Sequence, residues 1–211
     1  MLIKQIEAGP IGTNCYLIHE GAGSEAVLID APTEAAFLMM PFIEENNIRL
    51  RAVFLTHSHW DHTMDAPEFR RITGAAVYIH KDDEHRLQNP MEYTSIPVPF
   101  EIEPFSADKY YKQGDILKTG NFTFEVRHTP GHSEGGVALV EHIHNSVFCG
   151  DTLLNERVGR VDLPGGDWNT LVSSIKNKLL TLPDDYKVYS GHGPTTSIGH
   201  EKKSNPFLLN I

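Results

Sequence analysis

Four apolar runs of this chain each end on side chains of metal-ligand type, and no other feature limits its folding choices as tightly. "AVFL" leads into "THSHWDHTMD", which carries His57, His59, Asp61 and His62. "FTFEVRH" leads into "TPGHSEGG" with His132, "SVFC" into "GDTLL" with Asp151, and "KVYS" into "GHGP" with His192. Runs this short, bounded by glycine, proline and polar residues, read as β-strands. Ligand-type residues at the C-terminal ends of strands are expected where loops converge over one rim of a layered α/β fold.

The remaining pattern fits such layers. "CYLI" from Cys15, "AVLI" from Ala26 and "AAVYIH" read as further strands, while "GVALVEH" and "SVFCGD" pair as a hairpin across Ile143 to Asn145. "AAFLMMPFIEENN" has helical spacing, with Pro41 placed to start, kink or split it. "DAPEFRRITG" is expected to be a helix capped by Asp65, with Glu68 at capping-box spacing and Gly74 as its stop. "NTLVSSIKNKLLTL" is amphipathic through Leu171, Val172, Ile175, Leu179 and Leu180, with Asn169 as the expected N-cap. Residues 88–114, where Pro90, Pro97, Pro99 and Pro104 alternate with aromatics, are expected to form a long surface loop that shapes a substrate cleft. The order of elements predicts sheets covered by helices, within one domain spanning 1–211.

Composition narrows the partners. A net charge of -10 argues against nucleic acid and against anionic membrane surfaces. No window approaches the roughly 18 apolar residues of a membrane span. Cys15 and Cys149 lie in apolar runs and are expected to be reduced and structural. The N-terminus, "MLIKQIEAGPIGTNCYLI", carries Lys4 and Glu7 and no long apolar core, unlike a signal peptide. A cytoplasmic protein acting on a small molecule is expected; oligomeric state is not legible.

The ligand count bears on how many ions fit. His57, His59, Asp61, His62, His132, Asp151 and His192 exceed the four ligands of a closed tetrahedral site and the three of an open catalytic one. Two ions sharing a bridging carboxylate would use them all. In extended chain 57, 59 and 61 point to one side. His62 breaks that alternation, so the chain must turn near Asp61. Imidazole with carboxylate suits zinc, iron or manganese, and no cysteine stands at these positions.

"HSHWDH", "GHS", "GD" and "GHG", in this order along essentially the whole chain, resemble the metallo-β-lactamase-fold hydrolases. "NCYL", "GRVD" at 159–162 and "NPF" at 205–207 make the chain most similar to the small, single-domain branch related to glyoxalase II. The resemblance implies a four-layer αββα sandwich with a dinuclear centre. His57, His59 and His132 would hold one ion, and Asp61, His62 and His192 the other, with Asp151 bridging. Zinc is the expected metal, with iron or manganese as alternatives. The implied activity is hydrolysis of a thioester such as S-lactoylglutathione by a metal-bridging hydroxide, with Asp61 also orienting the nucleophile.

Longer glyoxalase II enzymes add a helical C-terminal domain that contacts glutathione, whereas this sequence stops at Ile211. Asp30 matches a position usually followed by Pro-Gly; here Ala31-Pro32 follows, a change expected to affect only the turn. Persulfide dioxygenases are also similar and carry "GRxD", which implies an alternative with one iron on His57, His132 and Asp151. A secreted β-lactamase is disfavoured by the missing signal-peptide pattern and by Asp151. A non-enzymatic binding module would be expected to have lost ligands, and none is lost here. Arg160 and Asp162 are expected to pair and brace a loop, the acidic stretch at Asp82 to be a solvated helix start, and Tyr93, Tyr110 and Tyr111 to pack their loop down. The remaining histidines are expected to face solvent, cap turns or support neighbours, with His128 the one placed to back up the site.

Overall fold

The structure, a computed structural model, describes residues 1–94, 98 and 100–209. Among these the chain opens on β1 (Leu2–Ala8), β2 (Thr13–His19) and β3 (Glu25–Ile29), followed by α1 (Ala35–Glu45) and β4 (Arg49–Phe54). Next come α2 (Trp60–Thr63), α3 (Ala66–Thr73) and β5 (Ala76–His80). A 3-10 turn (Lys81–Asp83), α4 (Glu84–Gln88) and α5 (Pro90–Tyr93) lead to β6 (Lys109–Tyr111). The second half contains β7 (Ile116–Thr119), β8 (Phe122–His128), β9 (Val137–Glu141), β10 (Ser146–Gly150), and the short pair β11 (Leu153–Leu154) and β12 (Arg157–Val158). It closes with α6 (Trp168–Ser174), a π-helical turn (Ile175–Leu179), β13 (Lys187–Ser190), β14 (Thr196–Ser197) and α7 (Ile198–Ser204).

Among the described residues, twelve of the fourteen strands form two six-stranded sheets, ordered β1-β2-β3-β4-β5-β6 and β14-β13-β10-β9-β8-β7, and β11 pairs with β12 apart from both. Alternation along each strand sorts side chains between three cores. In β2, Cys15 and Leu17 face α1 and α3 through Met39, Ile43 and Phe69, while Tyr16 and Ile18 face the other sheet. In β9 and β10, Leu139 and Phe148 face inward, and Val140, Val147 and Cys149 face α6 through Leu171 and Ile175. Helices outside two apposed sheets make the four-layer αββα sandwich. A bulge keeps the pattern in phase: Ala26 and Val27 pair with Leu50 and Ala52, leaving Arg51 as the extra residue. Leu50 therefore faces the helices and Ala52 the second sheet.

Several local expectations differ from the structure. Pro41 lies inside α1 without ending it. Asp65 stands at the N-cap position of α3, but its side chain does not bond that helix; its carboxylate accepts from the Ala36 N–H (2.8 Å), at the start of α1. The cap of α6 is Asp167, which accepts from the Thr170 N–H (2.8 Å), and Asn169 lies inside the helix. The 88–114 stretch is not one loop: it includes α5 and β6, and Tyr111 is buried between the sheets, its hydroxyl donating to the Leu55 carbonyl. Residues 95–97 and 99 of that stretch lie outside the described residues. Cys15 and Cys149 are buried free thiols.

Candidate metal centre

All seven predicted ligand residues meet at one rim of the sandwich. His57 and His59 follow β4, and α2 supplies the turn that brings Asp61 and His62 alongside them. His132 follows β8, Asp151 leaves the end of β10, and His192 follows β13. His57 Nε2 lies 3.1 Å from His59 Nδ1, which lies 2.9 Å from His132 Nε2. On the other side, Asp61 Oδ2 stands 3.2 Å from His62 Nε2 and 3.3 Å from His192 Nε2. Asp151 sits between the two groups: Oδ2 is 3.6 Å from His132 Nε2 and 3.5 Å from His192 Nε2, and Oδ1 is 3.6 Å from His62 Nε2.

The outer hydrogen bonds set which ring nitrogen faces inward. His62 Nδ1–H donates to Asp30 Oδ2 (2.8 Å), His132 Nδ1–H to the Arg160 carbonyl (2.7 Å) and His192 Nδ1–H to the Gly12 carbonyl (3.2 Å). Thr56 Oγ1 gives its hydrogen to Asp30 Oδ2 (2.8 Å), so it accepts from His57 Nδ1–H (3.1 Å). Each of these four rings thus points Nε2 at the centre, the arrangement that orients a metal ligand. Thr13 Oγ1 likewise donates to Asp61 Oδ2 (2.8 Å).

The electrostatics match a cation. Burial pushes His57 and His59 well below the ordinary histidine range, and neighbouring imidazoles add to it. Burial opposes charge on Asp61 as well, but His62, His192 and Thr13 outweigh it and hold the carboxyl well below the usual carboxylate range. Burial opposes a charged His62 too, yet Asp61, Asp30 and Asp151 outweigh it and push the imidazole up to about 10. Without an ion, a proton on His62 is what the three carboxylates hold. His62 Nε2 and Asp151 Oδ1 are buried with no hydrogen-bond partner among the described residues, a costly state that an ion between them would relieve. Ligands about 2.0–2.2 Å from one ion lie roughly 2.8–3.6 Å apart at octahedral to tetrahedral angles, and the separations above, 2.9 to 3.6 Å, lie in that range. Gly191 completes the cradle, since a Cβ there would overlap Asp151 Oδ1 and stand 2.6 Å from His62 Cε1. The residues present fit two divalent ions.

Another grouping, His80, Asp82 and His128, brings ligand atoms close without making a site. The two rings are stacked, 4.0 Å apart and 11° from parallel. Imidazole lone pairs lie in the ring plane, so these two cannot converge on one ion.

Similarity to known proteins agrees with the geometry. The sequence profile of the metallo-beta-lactamase superfamily matches residues 8–192. The chain belongs to the metallo-beta-lactamase superfamily. Within the superfamily it is 38% identical to the hydroxyacylglutathione hydrolase GloC of Haemophilus influenzae, over 99% of this chain and 98% of that protein. It also resembles the crystal structure of the B3 metallo-beta-lactamase BLEG-1, with a TM-score of 0.89 and 38% identity over 98% of this chain and 99% of the other. TTHA1623, solved in a di-iron-bound form, has a TM-score of 0.80 and 33% identity over 97% of this chain and 100% of the other. Metallo-hydrolase chemistry is thus the superfamily's, and His/Asp clusters that could hold metal are in place.

Three supporting residues escape the sequence reading. Asp30 does more than shape a turn: buried and left-handed (φ 58°), it accepts from the Thr56 N–H (2.7 Å) and holds His62. Asp83, expected in a solvated helix start, is fully buried with Glu84 nearly so. It accepts from the Ser58 N–H (2.8 Å), the Ser133 hydroxyl (2.9 Å) and the Gly135 N–H (2.6 Å), tying the His57–His59 loop to the His132 loop. Thr13 anchors Asp61. Asp30 alone had a visible signal, a carboxylate at the end of an apolar strand like the ligands themselves. Arg160 and Asp162 pair as expected, with two contacts of 2.7 Å.

Proposed function

We propose that this superfamily member hydrolyses a thioester such as S-lactoylglutathione at a dinuclear centre, zinc being the metal. The observation that carries the reading is the sharing of Asp151 between two ligand groups that together use all seven donors. When bound, paired divalent ions supply a hydroxide near neutral pH and polarise the scissile carbonyl. The chain's own residues do the rest. Asp61, held as an anion, accepts a hydrogen bond and orients the nucleophile rather than donating a proton, and Thr13 fixes its carboxylate. Addition of that hydroxide to the carbonyl carbon would break the C–S bond, the sulfur leaving as a thiolate with the electron pair and taking up the proton given off by the new carboxylic acid. The substrate is read as a small molecule in the cytoplasm, with no nucleic acid or membrane partner.

The 38% identity to a hydroxyacylglutathione hydrolase supports this reading. A single iron on His57, His132 and Asp151 is the competing arrangement, and those three residues do not stand apart from the other four in spacing or orientation. Metal analysis combined with thioester cleavage and oxygen uptake on glutathione persulfide separates the two. Two ions per chain with thioester cleavage is the expected result; one iron with oxygen consumption would overturn it.

A further inference from the structure

Resting on the thioester reading, we propose that Arg157 forms an anion subsite that holds a carboxylate on the thiol half of the substrate, so that the substrate class is the thioesters of anionic thiols. A cavity of about 360 Å³ opens over the ligand cluster, with His59, Asp61, His132, Asp151 and His192 among its floor residues. Its walls are largely apolar, through Trp60, Leu154, Val158 and Leu163, and they carry two cations, Arg157 and Arg160. Arg160 is already neutralised by its two-point contact with Asp162. Arg157 makes no ion pair among the described residues. It also lines the adjoining cavity of about 330 Å³, which shares Leu154, Arg157 and His192 with the first. Arg157 therefore lies on the wall common to the two cavities.

Its base is fixed even though its tip is exposed. Arg157 pairs with Leu154 across the β11-β12 hairpin. Its carbonyl accepts from Asn205 Nδ2 (3.0 Å), and the Glu156 N–H donates to Glu201 Oε2 (3.0 Å). Asn205 and Glu201 are fully buried and bonded to each other (2.7 Å). A pinned backbone carrying an unpaired guanidinium over an apolar wall suits a carboxylate, which the planar fork binds at two points. The acyl group of S-lactoylglutathione is small and uncharged, so the anionic end that reaches Arg157 belongs to the thiol.

The test compares S-lactoylglutathione with an analogue whose glycine and γ-glutamyl carboxylates are both carboxamides, using metal-loaded wild type, Arg157→Gln and Arg157→Lys. For the anionic substrate Arg157→Gln should lower kcat/KM about 10- to 100-fold, chiefly through KM, as expected for a lost charge-assisted hydrogen bond. The carboxamide should respond less than threefold, and Arg157→Lys should recover part of the loss. Equal losses on both substrates, or no loss on either, would overturn the subsite while leaving the thioester reading standing. Failure of wild type to cleave either thioester would overturn that reading, and the subsite with it.

Discussion

Replacing Asp30 with Asn isolates the outer shell of the centre without disturbing its shape. Asn is nearly isosteric with Asp and tolerates the left-handed backbone (φ 58°) that Asp30 adopts. In the native site Oδ1 accepts from the Thr56 N–H, while Oδ2 accepts from both Thr56 Oγ1 and His62 Nδ1. An amide has one oxygen. If that oxygen serves the Thr56 N–H, the NH2 group faces His62 Nδ1, and the ring must move its hydrogen to Nε2 to avoid two opposed donors. That hydrogen would then point at Asp61 and Asp151, where an ion needs the lone pair. Loss of an outer hydrogen-bond partner typically costs 10- to 100-fold in metal affinity, about 1.4–2.7 kcal/mol. The effect should fall on the ion that Asp61, His62 and His192 would hold, and more weakly on the other, which Asp30 reaches only through Thr56 and His57. Competition with a chromophoric chelator resolves the two binding constants. Equal constants in wild type and Asp30→Asn would refute the orientation argument, and an equal drop in both would refute its assignment to one side.

Three further outcomes follow from the same geometry. Asp83→Asn should destabilise the protein by about 2–4 kcal/mol in urea unfolding, because one acceptor is lost inside a site with three donors; a change below about 0.5 kcal/mol would count against the hub. Gly191→Ala should abolish binding of at least one ion, seen by metal analysis after gel filtration, and retention of both would contradict the close approach described above. Ion uptake should strengthen with pH: in the ion-free protein His62 is pushed up to about 10, so below that pH a proton must leave before Nε2 can ligate. Apparent affinity should rise about tenfold per pH unit from pH 7 to 9, and a flat profile would show that His62 does not give up a proton on binding.

Much of this was legible in the sequence, for reasons that also explain what was not. The seven candidate donors could be gathered from the sequence because they follow short apolar strands, and strand ends in a layered fold share a rim. Periodicity read the helices' buried faces, as Leu171, Ile175 and Leu179 show. Caps were misplaced by two residues at Asp167, where neighbouring polar side chains offer equivalent local chemistry and only backbone geometry chooses. Asp83 was read as solvated because its neighbours in sequence are charged. Its partners, Ser58, Ser133 and Gly135, lie 25 to 52 residues away, and a local pattern carries no information about them.

The two sheets are stitched together beside the centre by main chain as well as side chain. The Asn14 N–H donates to the Gly191 carbonyl (2.7 Å), Thr13 bridges His192, and the Asn14 amide spans the Ser190 and Gly193 carbonyls (3.0 and 2.9 Å). The donors on either side of Asp151 are thereby held by scaffold, whereas Arg157, Val158 and Leu163 on the cavity wall belong to a hairpin and loop outside both large sheets. Side-chain substitutions at Arg157, Val158 or Leu163 can alter which molecule is accepted while the Arg160 carbonyl still holds His132, whereas a substitution at Thr13, Asn14 or Gly191 acts on the centre directly. Retargeting such a protein is a matter of exchanging hairpin side chains while leaving the seam and the Arg160 backbone alone.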